Sequence, residues 1–269
     1  MSAVESHLYR PPSPLSAYVE CMWYRRGSIP GRRRELSMPT GKVDLVINLR
    51  ADRIRVFESP GGEEGIVCRG AIVHGAQSSA FVLDDLRHVH FVGVHFKPGG
   101  AVLLGLPSSE IADRHVSLED LWGARAAELR ERLMECATAS ECFAVLEREL
   151  IQRLSSRVLV HPVVSSVLRR ALSEPRSVAD LQRESGYSER QFTRVFAHTV
   201  GLTPKKYLRV LRLEKVLRQL ASSRSTLAEV AAEHGYFDQA HFFRDFRSLT
   251  GVAPSQYKPM ARSPLHMEL

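Results

Sequence analysis

The last hundred or so of the chain's 269 residues carry one pattern twice. Ala179-Asp180-Leu181 leads to Gly186-Tyr187 and then to Phe192, Arg194, Phe196, Gly201, Pro204 and Tyr207. Ala228-Glu229-Val230 leads to Gly235-Tyr236 and then to Phe242, Arg244, Phe246, Gly251, Pro254 and Tyr257. The copies stand 49 residues apart up to the Gly-Tyr pair and 50 after it, so the second holds one extra residue in its turn. A repeat fixes architecture before any single residue is interpreted. Each copy reads as helix, glycine turn, helix, and two such helix-turn-helix units in tandem make a DNA reader.

In the first copy Ser177 is placed to cap a helix whose inner face is Val178 and Leu181, and Gly186 supplies the turn. Ser188 caps the second helix, with Gln191 completing a capping box. Phe192, Val195 and Phe196 face inward at i, i+3, i+4 spacing, which leaves Glu189, Arg190, Thr193, Arg194 and Ala197 outward. In the second copy Thr226 caps, Leu227 and Val230 turn inward, and Asp238 caps a helix with Phe242 and Phe246 inside. Gln239, Ala240, Phe243, Arg244 and Arg247 are then outward, and His241 fits either face. Gln pairs bidentately with adenine and Arg with guanine. Between the copies Pro204 opens a long helix of about 17 residues, a rod of roughly 25 Å. Such a rod can hold two reading helices about one DNA turn, roughly 34 Å, apart. Lys205, Lys206, Arg209 and Arg212 along it suit phosphates, which supply affinity without sequence.

Charge points the same way. Residues 1–160 carry 20 Lys+Arg and 20 Asp+Glu, whereas residues 161–269 carry 17 and 10. The whole net charge of +7 therefore lies with the repeat, the footprint of a polyanion partner. Cys21, Cys68, Cys136 and Cys142 show no Cys-x-x-Cys spacing and read as reduced thiols. The N-terminus has no signal pattern and no apolar run approaches a membrane span, so the expected location is cytoplasmic, without a membrane partner.

Residues 161–258 resemble the DNA-binding domain of the AraC/XylS family of transcription regulators. The resemblance rests on Ala179-Asp180-Leu181, Gly186-Tyr187-Ser188, Gln191 to Phe196 and Gly201 to Tyr207. It continues through Leu227 to Ala231, Gly235 to Phe242, Phe246-Arg247 and Thr250 to Tyr257. It implies base-reading positions at Arg190, Thr193 and Arg194 in the first reading helix and at Gln239, Ala240, Phe243 and Arg244 in the second. Ala240 and Phe243 cannot donate hydrogen bonds, so the second helix is expected to read thymine methyls or to touch mostly backbone.

Residues 1–100 read as short strands at Ala17–Arg25, Val43–Leu49, Arg53–Phe57, Ile66–His74, Ala80–Leu83 and His88–Phe96. Gly123 to Cys136, Ala139 to Leu154 and Pro162 to Leu172 read as helices, and the stretch from Met260 on as a loose tail. The stripe Phe143, Leu146, Leu150, Ile151 and Leu154 suits either the chain's own core or a partner subunit. Residues 15–154 look like an uncharacterised N-terminal domain of some AraC-like regulators, carried by Trp23, Pro39 to Leu49, Gly93 to Ala101 and Leu118 to Gly123. A cupin-like barrel is expected. His88 and His90 share a strand face, with His74, His95 and His115 nearby in sequence, but no acidic ligand follows at a telling spacing, so no metal is expected. Some relatives of the DNA domain carry a repair module with a zinc-bound, alkyl-accepting Cys, which needs clustered cysteines that this chain lacks. Arg32-Arg33-Arg34 reads as a solvated loop.

The expected protein is thus an α+β two-domain chain. Residues 1–157 form a β-rich barrel followed by helices that senses a ligand or dimerises, each domain having its own core. Residues 158–262 form the DNA-binding domain, with helix-turn-helix units at 177–200 and 226–250 and a linker helix at 204–221. Expected partners are double-stranded DNA, a small-molecule effector, a second copy of the chain, and RNA polymerase if it activates; no cofactor or catalytic residue is expected. The competing readings are a DNA-tethered enzyme or metal-binding protein, and a non-specific DNA coat.

Overall fold

A computed structural model describes residues 4–28, 34–84, 88–154, 161–173, 176–222, 225–260 and 263–268. Its N-terminal part is β-rich and its C-terminal part helical. Strands β1 (Glu5–Tyr9), β2 (Val19–Ser28), β4 (Asp44–Asn48), β7 (Ala71–His74), β9 (His88–Phe96) and β10 (His115–Ser117) form one sheet in the order β1-β2-β9-β4-β7-β10. A second sheet has the order β11-β12-β3-β8-β5-β6, from β3 (Arg34–Ser37), β5 (Ile54–Phe57), β6 (Ile66–Cys68), β8 (Phe81–Asp84), β11 (Pro259–Met260) and β12 (Ser263–Glu268). The ladders pair antiparallel, and the sheets meet through Ile54, Val56, Cys68, Ile72 and Phe81.

The β-rich part is thus two sheets that do not close on each other as the expected barrel would. The expected strand Ile66–His74 is split, because the chain turns at Arg69-Gly70 (Gly70 φ 58°) and passes from the second sheet to the first. The expected tail past Met260 is ordered instead: β12 pairs with β3, bringing Met267 opposite Leu36 and His266 into an ion pair with buried Glu35. This strand is short and has little period-2 contrast, so nothing in the sequence distinguishes it from coil. Arg34 is also more than a loop residue, since its guanidinium lies 4.4 Å over the Phe57 ring. Arg32 and Arg33 lie outside the described residues, as does most of the expected domain boundary.

Helices α1 (Leu118–Trp122), α2 (Ala124–Met134) and α3 (Ala139–Arg153) follow the sheets. Phe143, Leu146 and Leu150 of α3 are buried in the chain's own core, whereas Ile151 is exposed. Then come α4 (Pro162–Ser173), α5 (Val178–Ser185), α6 (Glu189–Val200), α7 (Pro204–Ser222), α8 (Leu227–Glu233) and α9 (Gln239–Thr250). The repeat is visible in the packing. Phe192 and Phe196 lie 5.7 Å apart between ring centroids, with Tyr207 5.6 Å beyond. Phe242, Phe246 and Tyr257 repeat this at 5.7 and 6.0 Å.

The cores do not follow the expected division. One apolar cluster joins Met22, Leu45, Val73, Val94 and Leu146 to Leu181, Phe192, Phe196, Tyr207 and Val210. The other joins Leu36, Met38, Phe57 and Val82 to Leu213, Val216, Val230, Phe242 and Phe246. Helix α7 runs through both, which is why its buried residues cover a broad arc rather than one narrow stripe.

His74 and His115 are hydrogen-bonded through their Nδ1 atoms at 2.7 Å. Burial lowers His74 to about 3 and His115 to about 4. Both are thus neutral in the fold, while the unfolded chain takes up protons from the ordinary value near 6.5. Their contribution to stability is complete above that value and is lost as pH falls through the folded values. Asp44 acts oppositely on His95: burial pushes that imidazole down, and the Asp44 carboxylate at 2.5 Å outweighs it and raises its pKa. A His74→Phe, His115→Phe variant should therefore keep more of its neutral-pH melting temperature at pH 5 than the parent does; equal falls in both would contradict this. Phe196→Ala and Phe246→Ala should each cost about 3–5 kcal/mol in urea titrations. Because each cluster crosses the expected division, both variants should still unfold in one transition.

Candidate nucleic-acid interface

Both helix-turn-helix units are built by local rules. Ser177 and Asp180 form a reciprocal capping box at the start of α5, and Thr226 and Glu229 do the same for α8. Gly186 and Gly235, both at φ 70°, make the left-handed turns. Ser188 then accepts the Gln191 N–H at the start of α6, and Asp238 accepts the His241 N–H at 2.6 Å at the start of α9. Asp238 thus holds its carboxylate on a helix N-terminus, where negative charge is favoured.

On α6, Arg190 and Arg194 are exposed and Thr193 is half-buried at their edge. Arg194 also lines a cleft of about 420 Å³ with Val102, Leu106, Pro107, His161 and Val195. On α9, Gln239, Ala240, Arg244 and Arg247 are exposed, while Phe243 is half-buried and packs edge-on against Phe242 at 5.8 Å. His241 leans on the Tyr236 ring at 5.3 Å. Phe237 was not singled out by the sequence pattern; it stands 93% exposed at the entrance to α9. Its place directly after the turn, out of phase with Phe242 and Phe246, is the signal that could have found it.

The basic groups of α7 differ among themselves. Lys205 is exposed. Lys206 reaches into the N-terminal part and bonds Asp113 at 2.9 Å. Burial alone would raise Asp113, but the bonds from Lys206 and Ser78 hold its carboxyl below the usual range. Arg209 bonds Asp245 through Nε at 2.8 Å and Nη2 at 2.5 Å, and Ser248 at 2.8 Å. The buried Asp245 also accepts the Tyr236 hydroxyl at 3.2 Å, so Arg209 ties α7 to α9. Arg212 lies over the Tyr236 ring at 5.2 Å.

The histidines form no comparable centre. His88 bonds Ser28 and His90 bonds Tyr24. Among the described residues no group of three or more His, Cys, Asp or Glu side chains is placed to hold a metal ion. Burial pushes the Cys21 thiol up to about 11 and Cys142 up to about 12, which keeps both protonated and poorly nucleophilic at neutral pH. Among the described residues no helix is long and apolar enough to cross a membrane.

Comparison with known proteins matches two stretches of the chain. Residues 181–260 match the model of a helix-turn-helix domain, and residues 7–117 match a domain of unknown function, DUF6597. The HTH-type transcriptional regulator Rv1931c of Mycobacterium tuberculosis is 33% identical over 81 residues, 30% of this chain and 31% of that protein. A protein described as an AraC-like transcription regulator in Streptomyces lividans is 31% identical over 109 residues, 39% of this chain and 36% of its own length. The C-terminal part of this chain is an AraC-type helix-turn-helix domain. The chain spans about a third of the length of these curated relatives. ToxT of Vibrio cholerae aligns over 95% of this chain and 98% of its own at a TM-score of 0.47 and 11% identity.

Within the AraC-type domain, the Arg209–Asp245 pair should be structural. Arg209→Ala leaves a buried carboxylate short of its partner, and should cost about 1–3 kcal/mol, discounted because part of the guanidinium faces water. Arg190→Ala, fully on the surface, should leave the denaturation midpoint unchanged. The reverse order in urea titrations would contradict these assignments.

Proposed function

We propose that this protein is a sequence-specific, double-stranded-DNA-binding transcription regulator. The observation that carries the proposal is the pair of like-built units, each presenting the leading half of its second helix to solvent with basic and amide side chains on it. Arg190, Thr193 and Arg194 read one major-groove segment. Gln239, Ala240 and Arg244 read the next, with Phe243 and the exposed Phe237 contributing apolar contact to thymine methyls or sugar edges. Lys205 and Arg247 hold phosphates. Lys206 does so only if it leaves Asp113, and the Arg209 guanidinium only through the half that Asp245 leaves open.

The N-terminal part is the controlling element in this reading, by a small molecule or by pairing of two chains. An effector shifts occupancy of DNA only if it binds one arrangement better than the other. The cleft beside Arg194 brings such a molecule against the first reading helix.

Selection from a random duplex library should return a defined sequence. On that duplex Arg194→Ala and Arg244→Ala should each lose about 1–3 kcal/mol of binding in gel-shift titrations and relax specificity at one position. Lys205→Ala should weaken binding to all sequences alike and flatten the salt dependence. Equal affinity of the parent for every duplex would favour a non-specific coat.

A further inference from the structure

The two readers are joined by α7 and are also held by the N-terminal part. Their cores are separate: Leu181, Phe192, Phe196 and Tyr207 belong to one apolar cluster, Val230, Phe242, Phe246 and Tyr257 to the other. Helix α7 joins them, sending Tyr207, Val210 and Leu211 into one cluster and Leu213, Val216 and Leu217 into the other.

One loop of the N-terminal part touches both units. Residues 75–80 cross from β7 in the first sheet to β8 in the second. At one end, Ala76 packs on Gly201, just beyond α6, so closely that a β-carbon on Gly201 would come within 2.9 Å of it. At the other end, the Ala80 N–H donates to the carbonyl of Leu249, in the last turn of α9, at 2.7 Å. The adjoining turn 108–114 adds two ties. The Ser108 hydroxyl donates to the Thr199 carbonyl of α6 at 2.8 Å, and Asp113 holds Lys206 at the start of α7.

The loop is braced to do this. The Asp113 N–H donates to the Ala76 carbonyl at 3.1 Å, the Ser78 N–H to Asp113 Oδ1 at 2.6 Å, and the Gln77 amide to the Arg114 carbonyl at 2.9 Å. His74 and Phe81, which bracket the loop, stack at 4.6 Å, and His115 closes the set. Ala76, Gln77, Ala80 and Ser108 are all buried. Both readers are gripped at their trailing ends, which leaves their leading halves open to DNA.

We infer that loop 75–80, backed by turn 108–114, is a positioning platform that fixes the separation and mutual rotation of the two reading helices. The full chain is thereby specific for the spacing between two half-sites as well as for their sequence. The inference rests on the DNA-reading proposal above. A one-base-pair change in spacing moves a half-site about 3.4 Å and turns it about 34°, more than a braced platform can follow.

The test uses the full chain and the duplex returned by selection, with the segment between half-sites lengthened or shortened by one base pair. The parent should bind the altered duplexes about tenfold more weakly, the scale of one mismatched base pair, and this ratio should fall below about threefold in the variants. One variant is Ser108→Ala with Asp113→Asn; the other inserts two glycines after Ser78. Partial misfolding lowers the active fraction equally on every duplex, so the ratio reports positioning alone. Ratios in both variants within about twofold of the parent's, or a parent indifferent to spacing, would overturn the inference while leaving sequence-specific binding intact. A parent that selects no sequence would overturn the DNA-reading proposal itself.

Discussion

The burial of α7 is the constraint on which the rest of the structure depends. A linker between two DNA-reading units could be amphipathic, with one face to the units and one to water. Here Tyr207, Val210 and Leu211 enter one core, while Leu213, Val216 and Leu217 enter the other. The rod packs against the helix-turn-helix units and against the N-terminal part, where Gly41, between β3 and β4, lies against Tyr207 and Val210. Any motion of one unit relative to the sheets must therefore move packed side chains, and close-packed cores yield in steps rather than continuously.

That packing makes the basic residues of the domain unequal. Arg190, Arg194, Arg244 and Arg247 are exposed without being drawn into the fold, whereas Arg209 holds Asp245, and Lys206 joins the two halves of the chain through Asp113. The same positive charge is left open at some positions and tied into the architecture at others, where a carboxylate lies within reach.

Much of this was legible in the sequence, and for a clear reason. The repeat, its caps and its phenylalanines obey local rules, and the observed helices start and end where Ser177, Ser188, Thr226, Asp238, Gly186 and Gly251 indicate. His88–Phe96 was legible because it is rich in Val and Phe and is bounded by Pro98-Gly99-Gly100. Interactions between distant segments were not. Asp245 gives no sign in the sequence that it will hold Arg209, and Asp113 none that it will meet Lys206. The C-terminal strand β12 takes its stability from the edge of β3, more than two hundred residues earlier, so its own composition reads as coil. The split of the expected strand Ile66–His74 was not legible either: at Arg69-Gly70 a two-residue turn takes the chain from the second sheet to the first.

The most direct test of the central claim is hydroxyl-radical footprinting of the full chain on a selected duplex. Two readers held on one rod should protect two short tracks on a single face of the DNA, centred about ten base pairs apart. A single protected track, or protection that runs without periodicity around the whole helix, would contradict the account.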